Sequence, residues 1–168
     1  MTSPSGTPIE KSELIEHILA HLSQEVASLE RSAQAAHEAA THEESKAEDH
    51  HDTRGLEASY LAGAQAARVA ELQAIISNFQ FSKPRNFSPS DPIAAGALVE
   101  LDCEGKRTWV FLVVQGGGLT LKLGGSRIVQ VITPQAPLGD ALLGKRAGEA
   151  VEVEGQKQSR EYEVVSVR

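Results

Sequence analysis

The 168-residue chain is 40% hydrophobic and 23% charged, enough apolar material for one domain or two small ones. A formal charge of −7 excludes nonspecific gripping of phosphate backbones, which needs Lys and Arg to displace counterions. Aromatic residues at 4% argue against a base-stacking platform or an aromatic-lined pocket, and the one cysteine, Cys103, excludes an intramolecular disulfide and a Cys-rich zinc site.

No apolar run approaches the ~20 residues that span a bilayer. The opening Met1-Thr2-Ser3-Pro4-Ser5-Gly6 lacks the basic and apolar regions of a signal peptide, so the expected location is the cytoplasm. The charge is unevenly distributed. Residues 1–82 carry thirteen acidic and five basic side chains, a balance of −8, whereas residues 83–168 carry ten and eleven, a balance of +1. Composition changes at the same place, from Ala, Glu, His and Gln to Gly, Pro and Val. Two architectures are expected, 1–82 and 93–168, joined by a Pro- and Ser-rich linker over 83–92.

The first segment reads as two helices. Ser12 with Glu13 and Glu16 resembles a capped start, the acids lying near the positive end of the helix dipole. Leu22, Val26, Leu29, Ala33, Ala36 and Ala40 then alternate steps of four and three, and Ile15, Ile18 and Leu19 extend that face backwards. A second seam runs through Ala58, Ala62, Ala66, Val69, Leu72, Ile76 and Phe79, small first and large last. Folded antiparallel, large ends meet large and small meet small, which favours a hairpin within one chain; a self-associating coil is the alternative. Helices of about 28 residues are about 40 Å long at ~1.5 Å per residue, so the hairpin is expected to project as an arm.

Charge collects between the two helices. From His42 to Arg54, thirteen positions hold five carboxylates (Glu43, Glu44, Glu48, Asp49, Asp52), two cations, and the adjacent His50 and His51. One reading is a solvated turn with Asp52 or Thr53 capping the second helix. The other is metal chemistry, because carboxylate oxygens are hard ligands suited to Mg²⁺. Adjacent His residues point in different directions on a helix, so a closed zinc site is not expected. Two or three carboxylates completing a metal shell held by another protein are.

The second segment reads as a small α+β domain. Residues 97–103 and 107–114 form a hairpin about a Gly105-Lys106 turn, and residues 119–123 alternate as a half-buried strand. Gly116-Gly117-Gly118 is a loop without the Lys-Ser/Thr of a phosphate-binding loop, and Gly124-Gly125 is a turn. Residues 127–132 form a further strand. A short helix from Pro137 closes at Gly144, and residues 151–154 and 161–167 pair as a terminal hairpin around Gly155. All six histidines lie in the first half, so no Ser/His or Cys/His constellation for nucleophilic catalysis exists here, and Cys103 reads as a strand residue.

The run Ile132-Thr133-Pro134-Gln135-Ala136-Pro137-Leu138-Gly139-Asp140-Ala141-Leu142-Leu143-Gly144, continued by Gly148-Glu149-Ala150-Val151-Glu152-Val153 and Glu161-Tyr162-Glu163-Val164, resembles the C-terminal domain of bacterial Gre transcription elongation factors. Those share a Ser-Pro step, a short Ala-Leu-hydrophobic-Gly helix and a Gly-Asp-x-Val-x-Val strand start. A helical hairpin with an acidic tip is the other half of the Gre architecture. The shorter-armed regulator of nucleoside diphosphate kinase shares the C-terminal domain.

The resemblance implies a two-domain α+β protein, an N-terminal antiparallel coiled-coil hairpin followed by an FKBP-like domain. It implies a monomeric accessory factor, not an enzyme, that docks at the rim of the RNA polymerase secondary channel. The arm reaches inward, where tip carboxylates help hold a polymerase Mg²⁺ at the nascent RNA 3′ end and promote hydrolysis of backtracked RNA. Counting back from Arg68-Val69-Ala70-Glu71-Leu72, which resembles the family's second helix, the tip pair three apart falls near Glu48 and His51; one residue along, Asp49 and Asp52 restore two acids three apart and are the expected pair, with Glu48 and Glu44 next. Gln135-Ala136-Pro137 stands at the Ser-Pro position and is the expected polymerase contact; a helix-start proline is its structural alternative. The Gly-Asp-Leu and Glu-Asn-x-Glu-Tyr elements of the usual Gre tip are missing, and the arm has only Lys11, Arg31, Lys46, Arg54 and Arg68 as cations. The alternative is therefore a Gre-like channel regulator that modulates transcription without promoting cleavage.

Overall fold

The computed structural model describes residues 8–41, 54–123, 127–155 and 158–168. Glu44, Glu48, Asp49 and Asp52 of the acidic tip, His50 and His51, and the Gly124-Gly125 turn lie outside these residues. Contacts divide the chain into two units, one of Ile18–Ser82 and one that gathers the described residues up to His17 with Lys83–Arg168.

The helical unit is built on α1 (Lys11–Thr41) from Ile18 onward and on α2 (Arg54–Phe81), helices of 31 and 28 residues. No proline interrupts either helix. Ile18, Leu22 and Val26 are buried at steps of four on α1, and Leu72, Ile75 and Phe79 at steps of three and four on α2, as an apolar helical stripe requires. Leu29, Ala33, Val69 and Ile76 are half-buried. Ala36, Ala58, Ala62 and Ala66, placed in the seam by their spacing, are exposed instead. Alanine covers too little area to seal the interface there: Ala33, Ala62 and Ala66 line an open groove of about 410 Å³ between the helices. Seam position Ala40 lies outside the described side chains.

The start of α1 also departs from expectation. The helix begins at Lys11, and the Leu14 N–H reaches the Glu10 carbonyl at 3.2 Å, so Ser12 sits in the first turn rather than capping it. Leu14, off the expected seam, is fully buried.

The second unit carries a six-stranded sheet: β1 (Leu98–Cys103), β2 (Lys106–Leu112), β3 (Leu119–Leu123), β4 (Arg127–Ile132), β5 (Ala150–Glu154) and β6 (Ser159–Val167). Their order is β3-β4-β2-β1-β6-β5, all neighbours antiparallel except the parallel pair β2/β4. The β1/β2 turn is Glu104-Gly105, both with positive φ (53° and 80°), and Lys106 pairs with Cys103 as the first strand residue. Asp102 closes the turn by accepting the Gly105 N–H at 2.8 Å. Alternation sends Val99, Leu101, Val110, Leu112 and Val164 into one core with Leu142 of α3 (Pro137–Leu142). Leu98, Phe111, Val129 and Val131 are buried as well, so the central strands are covered on both faces.

The segment after α2 is more than a tether. Phe87 and Ile93 join the core of this unit, and Ser88 and Asp91 form a tight turn in which the Asp91 carboxylate accepts the Ser88 N–H at 2.8 Å. Hydrogen bonding from Ser88 holds the Asp91 carboxyl below its usual range.

Candidate functional site

The turn singled out by the sequence, Gln135-Ala136-Pro137, follows β4 directly. Its backbone is pinned at both ends: Val113 N–H donates to the Ile132 carbonyl at 2.8 Å, and Ala136 N–H to the Thr133 carbonyl at 3.0 Å. Ala136 takes an extended conformation (φ −74°, ψ 144°), as a residue before proline must, and Pro137 opens α3 where no backbone N–H is needed. The proline therefore does the work of a helix start. Gln135 and Pro137 are nonetheless exposed.

Two glycines hold this turn in place. A Cβ on Gly139 would lie 2.0 Å from the Thr133 carbonyl oxygen, and one on Gly117 would lie 2.8 Å from the Thr133 methyl. Only hydrogen at these positions lets α3 and the 113–118 loop close on Thr133. Gly144, with φ 79°, ends the helix in the left-handed conformation, its N–H bonding the Ile93 carbonyl at 2.8 Å. Val114, two residues past β2, and Leu143, which follows α3, are 68% and 47% exposed. The turn thus forms a ridge on this unit whose own exposed side chains, Gln135 and Pro137, are uncharged, chemistry that suits a protein partner.

On the helical unit, Arg68 of α2 binds Glu25 of α1 at 3.0 Å and Glu71 of its own helix at 2.9 Å. The two carboxylates, Glu25 first, raise the Arg68 pKa above its usual value. Arg31 is exposed. Lys11 is not on the helical unit's surface at all: it is buried in the other unit, donating to the Arg85 carbonyl and lying 4.8 Å from the centre of the Phe87 ring. Sequence reasoning missed this environment, and no local pattern carries it, because Lys11 and its partners are more than seventy residues apart. Among the described residues no group of three His, Cys, Asp or Glu side chains is placed to hold a metal, and no helix is long and apolar enough to cross a membrane.

Comparison with known proteins accords with this architecture. Residues 89–168 match the family model of the GreA/GreB transcription elongation factor C-terminal region. The transcription elongation factor GreA of Acidiphilium cryptum is 32% identical over 121 residues, covering 71% of this chain and 69% of its own length. The chain belongs to the GreA/GreB family of transcription elongation factors. The GreA of Alkalilimnicola ehrlichii is 27% identical over 139 residues, 82% of both chains, so the similarity to Gre factors takes in the helical unit too. Among solved structures, the GreA factor homologue Gfh1 of Thermus thermophilus is 25% identical, with 89% of this chain and 94% of that one covered at a TM-score of 0.36. Like other Gre-family members, the protein is an accessory elongation factor, with two long helices followed by a mixed-sheet domain.

Proposed function

We propose that this Gre-family protein binds RNA polymerase at its secondary channel and stimulates cleavage of backtracked RNA. The observation that carries the reading is the pairing of a Gre C-terminal domain with a two-helix hairpin whose connecting sequence concentrates five carboxylates in thirteen positions. The ridge at Gln135, Ala136 and Pro137 is the polymerase contact. Asp49 and Asp52, backed by Glu48 and Glu44, are the groups that meet the active-site Mg²⁺.

Carboxylate oxygens fit that role, since a hard cation prefers them and retains several waters to be shared with a second protein. The Mg²⁺ belongs to the polymerase and supplies polarisation of water and stabilisation of the leaving oxygen. The chain's own contribution is to bring negative charge close to that ion and to the RNA 3′ end. It performs no hydrolysis by itself and acts as a monomer in the cytoplasm. The test is RNA cleavage in a stalled elongation complex with and without the protein.

A second reading has its own support. The tip lacks the usual Gre elements, and of the arm's cations Arg68 is committed to Glu25 and Glu71 while Lys11 is buried beside Phe87. An arm with so little free positive charge suits a regulator that occupies the channel without gripping RNA. Polymerase binding with unchanged cleavage selects this reading.

A further inference from the structure

The start of α1 borders a cavity of about 420 Å³, within the ~300–1,000 Å³ range of small-molecule sites. Lys11, Ser12, Asn86 and Arg168 are among the residues that line it, together with the apolar Phe87 and Leu98. Lys11 is only 9% exposed, and its neighbours do not neutralise it. One of its three N–H donors goes to the Arg85 carbonyl, and the Phe87 ring faces the cation. The nearest acting charge is a second cation: the Arg85 guanidinium stacks on the same ring at 4.6 Å. Burial, and then Arg85, lower the Lys11 pKa from 10.5 to about 8, which no neighbouring carboxylate offsets. Arg168 lies over Trp109 at 5.2 Å and has no carboxylate partner among the described residues, and the Ser12 and Asn86 side chains have no hydrogen-bond partner there. Glu10 also lines the cavity, but it forms no ion pair with Lys11 or Arg168 among the described residues.

A buried ammonium without a counter-charge is costly, and a cavity beside it with further cations and unused donors is where an anion would remove that cost. We propose that this cavity binds a phosphate dianion, free or as the terminal group of a 5′-mononucleotide, with Lys11 and Arg168 as its charged contacts and Ser12 and Asn86 as neutral donors. The volume exceeds that of one phosphate, so the free ion and the nucleotide share the charged end and differ in whether the remaining space is filled. The assignment does not depend on polymerase binding.

The test is titration of the full chain at low ionic strength with inorganic phosphate and, separately, with AMP, followed by amide chemical shifts and thermal unfolding. Saturable shifts at Ser12 and Asn86, with a rise in midpoint temperature, are expected. Arg168→Gln, at an exposed position, should weaken binding by about tenfold or more, as loss of a charge-assisted hydrogen bond does, and Lys11→Met should do so at least as strongly. AMP binding at least tenfold tighter than phosphate assigns the site to nucleotides; equal affinity assigns it to the free ion. Absence of saturable shifts in either arm, or binding that neither Arg168→Gln nor Lys11→Met weakens, would overturn the proposal.

Discussion

Arg68 on α2 and Glu25 on α1 meet at 3.0 Å across the hairpin, with Glu71 holding the other side of the guanidinium at 2.9 Å. The contact fixes the antiparallel register beside the half-buried Val69 and the buried Val26. Both partners are partly exposed to solvent, so the pair is worth about 0.2–1 kcal/mol. A double-mutant cycle on Arg68→Gln and Glu25→Gln, read by urea unfolding, should return a coupling in that range that shrinks at 1 M salt. A salt-independent coupling would mean the pair is desolvated.

Lys11 links stability to pH. Its pKa is lowered from 10.5 to about 8, so between those values the unfolded chain keeps a proton that the folded chain has released. Stability contributed by Lys11 therefore rises with pH across that window and is flat below it. The difference in unfolding free energy between the wild type and Lys11→Met should become more favourable to the wild type from pH 7 to pH 10. A constant difference would show that Lys11 is not desolvated.

Gly139→Ala should destabilise by about 3 kcal/mol, since its Cβ would lie 2.0 Å from a backbone oxygen that cannot move without shifting α3 or β4. Gly63→Ala is the control. Nothing lies within 4 Å of its Cβ position, and in the helix interior alanine should stabilise by about 0.5–1 kcal/mol. Chemical denaturation midpoints separate the two.

The ridge makes a different prediction. Gln135 and Pro137 are exposed, so Gln135→Glu should leave the unfolding midpoint within the ±0.5 kcal/mol of ordinary surface changes. The same change puts a charge on the proposed contact, and affinity for RNA polymerase in a direct binding assay should fall about tenfold. Unchanged affinity would move the contact elsewhere on the domain.

Much of the fold was legible because its signals are local. Period-two alternation reproduces β3 at its observed bounds, the strand expected over 127–132 is β4, and the glycines at 105 and 144 mark turns that do adopt positive φ. What escaped was whatever depends on contact between distant segments. Spacing put Ala36 and Ala58 in the seam, but spacing says nothing about whether a small side chain is enough to close it, and both are exposed. Phe87 is buried through packing that linker composition does not encode. The same holds for Lys11, a residue whose type alone predicts exposure. The candidate polymerase ridge was legible as a motif, whereas its rigidity rests on Gly117 and Gly139 approaching Thr133 across the chain.

The decisive measurement is 3′ cleavage in a halted, backtracked elongation complex at saturating protein. Wild-type protein should accelerate release of short 3′ fragments, and Asp49→Ala combined with Asp52→Ala should abolish the acceleration while polymerase affinity is retained. Cleavage at the rate of polymerase alone, with the wild-type protein bound, would contradict a cleavage role for this chain.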